Sequence, residues 1–248
     1  MGQLGDNPGR GNIASILVTA GPTHEYLDDV RYLANGSSGR MGFAFTEAAV
    51  GEGHRVVLVA GPTGLVPPSA VDYRPVTSAL EMRDTVAEAL RESVPPIDVV
   101  VMVAAVADYR PADRVVGKPA KSSSGLTLQL VPNPDILLGL GDRKSAGELG
   151  AVLVGFALES GDYDDIVAKG TRKLDRKGLD LIVVNHISAM GAEDNEVTLV
   201  FKANQANGNP TQRLGRRNKK EVAQAILAAA VQILDDTRAG QPKRGRIS

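Results

Sequence analysis

Apolar positions along this chain change period several times, and each change marks an element. Residues 16–19 (ILVT) are a β-branched run closed by Gly21-Pro22, which predicts a strand. Met41, Ala44, Phe45 and Ala48 fall at i, i+3, i+4 and i+7, which predicts a helix over 40–52. Residues 55–60 (RVVLVA) predict a second buried strand. Ser78 with Glu81 forms a capping box ahead of a helix whose apolar face is Met82, Val86, Ala89 and Leu90. The near-continuous apolar run 97–105 (IDVVVMVAA) predicts a central parallel strand covered on both faces. Asn133-Pro134 predicts the start of a short helix through Leu140, with Pro at the first helical position. A strand over 152–157, a charged helix over 162–177 stopped by Gly178, and a strand over 179–184 follow. Residues 195–201 alternate, as an antiparallel edge does. Asn218 with Glu221 caps a last helix to about Asp236, with Val222, Ile226, Ala229 and Ile233 on one face.

Strands alternating with helices predict an α/β fold, a Rossmann-like doubly wound, mostly parallel sheet with right-handed crossovers. Ligands in such sheets sit beyond the carboxyl ends of the strands. The segments to weigh are therefore 20–42, 61–68, 104–134, 156–160 and 185–194. The third is too long for a simple connector. Leu126, Leu128 and Leu130 alternate inside it, which predicts a projecting β-arm that also carries Lys118 and Lys121. Residues 1–14 are Gly-rich and polar and 237–248 are basic and polar, so both are expected to be disordered around one domain, 15–236.

Composition narrows the chemistry. The 248 residues carry a net charge of −1, so no bulk field draws the chain to nucleic acid or to a membrane. Cys is absent, which excludes disulfides, Cys nucleophiles and thiolate metal sites. His24, His54 and His186 are scattered and form no metal spacing. No apolar run reaches the roughly 20 residues of a membrane span, and no signal-peptide pattern opens the chain. A cytoplasmic protein is expected.

The stretch 16–42 (ILVTAGPTHEYLDDVRYLANGSSGRMG) joins the first strand, through a charged loop, to Gly36, Gly39 and Gly42 and a helix start. Free N–H groups and the positive helix end make such a place an anion site, and residues without Cβ admit a phosphate to the backbone. Asp28, Asp29, Arg31 and Asn35 should lie beside whatever the glycines hold. By itself a G-x-x-G-x-x-G run is equally a tight strand–helix packing turn, Asn35-Gly36 a common turn pair, and Lys118 and Lys121 solvated loop charges.

Taken in order, VTAGPT, VRYLANGSSGRMG, AAVADYRP, NPDI, VGFALE and RKGLDLIVVN resemble the phosphopantothenate–cysteine ligase family of coenzyme A biosynthesis, over residues 15–236. The resemblance implies a Rossmann-like homodimer that joins 4′-phosphopantothenate to cysteine through an acyl-nucleotide. It implies Asn35 as holder of that intermediate, Arg31 and Ala105 in amide formation, and Lys118 facing the triphosphate. It implies a nucleotide site of Gly21, Gly36, Ser37, Ser38, Gly39, Ala104, Asp108, Asn133, Pro134, Asp135, Ile136 and Phe156, with Lys173 and Lys177 reaching the phosphates. AAVADYRP resembles the bacterial branch, which implies CTP as co-substrate, with Mg²⁺ held mainly by the triphosphate. The sequence departs from the family at Lys118-Pro119-Ala120-Lys121, where a lysine is lost, at Arg40, where Lys is common, and at His24, where Arg is common. The flavin-binding decarboxylase often fused ahead of such domains does not precede this one, so a standalone ligase or an excised half, linked in function to a separate phosphopantothenoylcysteine decarboxylase, is expected.

Two other classes fit parts of the pattern. GSSGRMG looks like an NAD(P)-dependent oxidoreductase loop, but the glycines sit far from the first strand. RVVLVAG also ends without the acid that binds a ribose 2′-OH, and no Tyr-x-x-x-Lys occurs. A non-catalytic nucleotide-binding module is the other.

Overall fold

The computed structural model describes residues 13–121, 123, 125–186, 194–203 and 210–240. In chain order the elements are β1 (Ser15–Ala20), β2 (Glu25–Tyr26), β3 (Tyr32–Leu33), α1 (Arg40–Gly51), β4 (Arg55–Ala60), β5 (Asp72–Pro75), α2 (Ala79–Glu92) and β6 (Val99–Met102). They continue with β7 (Tyr109–Pro111), β8 (Leu130–Pro132), α3 (Ile136–Ser145), β9 (Val152–Glu159), α4 (Tyr163–Arg176), β10 (Leu181–His186), β11 (Asp194–Phe201), β12 (Thr211–Asn218) and α5 (Lys219–Gly240).

One 8-stranded sheet runs in the order β12-β11-β10-β9-β6-β1-β4-β5. From β10 to β5 every pairing is parallel, and β11 and β12 are antiparallel. Period-2 alternation sends Ile16, Val18 and Ala20 to one core with Phe43 and Phe45 of α1 and Ile226 of α5. Leu17 faces the other core with Met82 of α2, Leu137 of α3 and Leu174 of α4. This is the doubly wound, three-layer arrangement expected from the strand–helix alternation. The chain leaves β1 toward β4 and β5, then returns through α2 to β6 on β1's other side. The resulting switch point is the carboxyl end of β1 and β6, where such folds bind ligands.

Several local expectations change. The apolar face of α1 is rotated: Phe43, Phe45, Thr46 and Ala49 are buried, and Met41, Ala44 and Ala48 are only partly so, because both the sheet core and α5 cover this helix. The central run 97–105 is strand only over Val99–Met102. Helix α3 starts at Ile136 with Asp135 as its N-cap, so Pro134 precedes the helix. Leu126, Leu128 and Leu130 are all exposed, and only Leu130 lies in a strand. The arm is a short ladder in which β7 pairs antiparallel with β8, Tyr109 opposite Pro132. The antiparallel edge is a two-strand extension, and in β12 (TQRLGRRN) Leu214 is the one buried side chain. Ile13 is exposed, Ala14 is fully buried and α5 runs to Gly240, while residues 1–12 and 241–248 lie outside the described residues. Most of the 185–194 segment is likewise outside them. No helix among the described residues is long and apolar enough to cross a membrane.

Candidate active site

The loops after β1 and β6 are sewn together by hydrogen bonds that the sequence places within reach. Ala105 N–H donates to the Gly21 carbonyl at 2.9 Å, and Ala104 N–H to Thr19 Oγ1 at 3.2 Å. Ala107 N–H donates to the buried Thr23 hydroxyl at 3.0 Å. Further out, Asn35 Nδ2 donates to the Val106 carbonyl at 3.0 Å and approaches that of Ala105 at 3.5 Å. These contacts fix 104–108 beside 35–37.

The loop that delivers Asn35 is organised by Asp28, which is 1% exposed. Its Oδ1 accepts from Val30 N–H at 2.8 Å and Arg31 N–H at 2.7 Å, and its Oδ2 accepts from Arg31 Nε at 2.6 Å. The Arg31 N–H leads the causes that hold this carboxyl down at about 2; burial opposes it, and the Val30 N–H and Arg31 guanidinium reinforce it. His24 stacks on Tyr32 across the β2–β3 hairpin, ring centroids 3.8 Å apart. Gly39, the N-cap of α1, sits at φ 74°. A Cβ there would lie 2.8 Å from Thr63 Cγ2 and 3.2 Å from Gly21 Cα. Gly21 and Gly39 therefore serve close backbone packing, the alternative that the glycine run left open.

Beyond the strand ends opens a cleft of about 660 Å³. It gathers Asn35, Gly36 and Ser37 from the first loop and Ala104, Ala105 and Asp108 from the second. Asn133, Pro134, Asp135 and Ile136 join them at the start of α3, with Phe156 on β9 and Lys173 and Lys177 at the end of α4. Gly21, Arg31, Ser38, Gly39 and Lys118 are not among its lining residues; Arg31 is held by Asp28, and Lys118 is exposed on the segment between β7 and β8. Sequence reasoning did not single out Met41, Val106, Leu158 or Asn185, which also line it. Met41 stood in a quoted motif as part of a helix's apolar face, and Asn185 closed the RKGLDLIVVN run and opened the 185–194 segment without being given a role of its own.

Electrostatics inside the cleft are paired. Lys177 Nζ lies 2.9 Å from Asp135 Oδ2, and Lys173 Nζ 2.5 Å from Glu159. The Asp135 carboxyl is raised by burial, yet the Lys177 hydrogen bond, the Leu138 N–H and the charges of Lys177 and Arg176 outweigh this, so it sits below its ordinary value. Gly141 of α3 makes the pairing possible, because a Cβ there would lie 1.8 Å from the Lys177 carbonyl. Asn133 is spent on structure: its Nδ2 donates to the Ala107 carbonyl at 2.8 Å, and its Oδ1 accepts from Arg110 Nη1 at 3.1 Å. The exposed Asp108 is the cleft's other carboxylate. Among the described residues no cluster of three or more His, Cys, Asp or Glu could cage a metal. The arrangement offers a concave site with paired lysines, an aromatic wall and backbone groups, suited to a phosphorylated planar ligand.

Comparison with known proteins bears on this cleft. Residues 12–234 match the family model described as DNA/pantothenate metabolism flavoprotein C-terminal domain. The chain is 42% identical over 192 residues to the "Coenzyme A biosynthesis bifunctional protein CoaBC" of Bacillus subtilis (strain 168), covering 75% of this chain and 45% of that one. It is 38% identical over 217 residues to a "Cysteine/Cysteine sulfinic acid decarboxylase" from an unknown prokaryotic organism, covering 86% and 56%. The chain thus spans about half the length of the curated relatives it matches. The crystal structure of the C-terminal domain of coenzyme A biosynthesis bifunctional protein CoaBC is similar with a TM-score of 0.74 and 36% identity, covering 92% of this chain and 98% of that one.

Proposed function

The chain belongs to the DNA/pantothenate metabolism flavoprotein C-terminal domain family, and we propose that it works as a phosphopantothenate–cysteine ligase. The observation that carries the reading is the Asn35–Val106 hydrogen bond, which closes VRYLANGSSGRMG onto AAVADYRP at the mouth of the cleft. In this reading the carboxylate of 4′-phosphopantothenate attacks the α-phosphorus of CTP, forming an acyl-cytidylate and releasing pyrophosphate. The amine of cysteine then attacks the acyl carbon. The C–O bond to the phosphate breaks, CMP leaves, and the amine loses a proton.

Each step asks something of the chain's own residues. A carboxylate attacking a polyanion needs cations nearby. Lys118 answers this from the exposed segment between β7 and β8, and Lys173 and Lys177 from α4 once the phosphates compete with Glu159 and Asp135. Asn35 supports the acyl carbonyl with a neutral amide, and Arg31 and Ala105 assist amide formation. The wall of Phe156 and the 133–136 loop receives the nucleotide. Mg²⁺ would lower the repulsion between substrates. The cleft's two carboxylates, with Asp135 taken by Lys177, suit a cation carried on the triphosphate more than one caged by protein. A cytoplasmic homodimer, linked in function to a phosphopantothenoylcysteine decarboxylase, completes the reading; the word bifunctional in its relatives' names accommodates that link.

The test is to incubate the protein with 4′-phosphopantothenate, cysteine, Mg²⁺ and each nucleotide in turn. Pyrophosphate release that depends on 4′-phosphopantothenate is expected. A nicotinamide absorbance change without it would favour an oxidoreductase. CO₂ release from cysteine without nucleotide would favour the activity in the decarboxylase relative's name. Tight nucleotide binding without turnover would favour a binding module.

A further inference from the structure

Among the described residues, a buried side-chain acceptor in the cleft lining has no hydrogen-bond partner. Asn185 Oδ1 is buried and accepts no hydrogen bond, although the residue lines the cavity. A buried acceptor left unmet is costly, and such an atom at a ligand site is able to accept from a donor on the ligand. Asn185 sits in β10 opposite Leu158 of β9 and Val197 of β11. By strand alternation it shares a sheet face with Val183, the residue opposite Phe156. Val183 and the partly buried Phe156 belong to the core packed by α1 and α5. The cleft's lysines come from α4, whose Ile166 and Leu174 belong to the opposite core. The cationic part of the cleft and the Asn185 part therefore attach to opposite faces of the sheet.

That separation selects the chemistry. Ionised phosphate oxygens only accept, so they cannot satisfy Oδ1, and they belong with the lysines. The group at Asn185 must donate, and Phe156 on the same face offers a ring to a planar partner. We propose that Asn185 is a base-recognition residue whose Oδ1 accepts a hydrogen bond from the exocyclic amine of an amino-bearing nucleobase seated at Phe156. The inference rests on the ligase reading for the presence of a nucleotide, and it adds a side-chain contact that the backbone groups of 104–105 and 133–136 do not supply.

CTP and UTP share ribose and triphosphate and differ at the position-4 amine and the protonation of N3. Calorimetric titration of the full chain with each, without the other substrates, reads the contact directly. The unaltered protein should bind CTP about tenfold tighter than UTP or better, and Asn185→Ala should lose about tenfold for CTP and little for UTP, a single hydrogen bond's worth. Asn185→Asp, which keeps an acceptor, should restore the CTP preference even if both nucleotides weaken. UTP affinity is the internal measure of folding. Equal losses for both nucleotides, an unchanged preference in Asn185→Ala, or a native preference for UTP would overturn the assignment. CTP binding with this pattern but no pyrophosphate release would remove the ligase reading alone, and binding of neither nucleotide would remove both.

Discussion

Lys177 Nζ lies 2.9 Å from Asp135 Oδ2 and 3.0 Å from its Oδ1, tying the end of α4 to the N-cap of α3 inside the cleft. The same carboxylate caps α3 by accepting from Leu138 N–H at 3.1 Å. The two duties can be separated. Asp135→Asn keeps a good cap and removes the charge, whereas Asp135→Ala removes both. Asp135→Ala should cost about 1 kcal/mol of stability for the lost cap, and Asp135→Asn well under that. Both should free Lys177 for anions, so inorganic tripolyphosphate, which lacks a base, should bind more tightly to either variant. Unchanged tripolyphosphate affinity in both would remove Lys177 from the anion site.

The Asp28 loop gives a pH prediction. Its carboxyl, held at about 2 chiefly by the Arg31 N–H, lies below the 3.8 of an unperturbed Asp. A depressed folded-state value means the unfolded chain takes up the proton first. The contribution is therefore complete above about pH 4 and is lost as pH falls through about 2. Denaturant unfolding across that range should show a falling midpoint, and Asp28→Asn should flatten this part of the curve. An equal slope in the variant would assign the loss to other carboxylates.

How far the sequence reached depends on whether a signal is local. The Asn218–Glu221 box was legible because both partners are local, and the structure has it reciprocal: Glu221 N–H to Asn218 Oδ1 at 3.0 Å, Asn218 N–H to Glu221 Oε2 at 3.1 Å. Asn133-Pro134 looked like the start of α3 by the same logic. There a distant partner wins, since the Asn133 carboxamide is used by Ala107 and Arg110 and the cap passes to Asp135. Strand β5 (DYRP) carries no hydrophobic alternation because it is an exposed edge, held by its parallel register with β4. The site divides the same way. Asn35 and Ala105 were given roles from their motifs, whereas Asn185, though it closes a motif and opens a segment after a strand, gains a role through an acceptor that folding buries without a protein partner.

Asn35 is tethered by Nδ2 to the second loop, so both its position and its amide matter. Asn35→Asp and Asn35→Ala should leave pyrophosphate release from CTP and 4′-phosphopantothenate and impair amide formation. The acyl-cytidylate should accumulate and be detectable by mass spectrometry in the presence of cysteine. Product formation at the native rate would take Asn35 out of the mechanism.

Lys118 and Lys121 are both exposed on the segment between β7 and β8, outside the cleft lining. The resemblance gives Lys118 the contact with developing pyrophosphate charge, while the cluster around Lys121 is altered, one lysine being lost at Ala120 and Pro119 stiffening the turn. Lys118→Ala should lower acyl-cytidylate formation about 10²–10³-fold, the usual loss for one electrostatic contact to the transition state. Lys121→Ala should cost less. A larger loss at Lys121 would mean that the register of this segment against the family is shifted.

The nucleotide should be CTP rather than ATP. AAVADYRP resembles the bacterial branch, and the ATP-using eukaryotic branch continues differently after AAV. The geometry offers a physical route to that choice. The backbone of Ala104 and Ala105 is fixed by Thr19 and Gly21, and the 133–136 loop is fixed by Asn133, so neither can retreat to admit a larger ring without breaking these bonds. Phe156 covers one side of the same cleft. A rigid site that hydrogen-bonds one base leaves buried groups unpaired around another, which discriminates more strongly than size alone. Steady-state kinetics with CTP, UTP and ATP at equal concentration should place kcat/KM for CTP highest, by tenfold or more if one buried hydrogen bond is at stake. A kcat/KM for ATP equal to or above that for CTP would sink the base assignment and leave the ligase reading standing, because the acyl-nucleotide chemistry proposed at Asn35 does not depend on which base is carried.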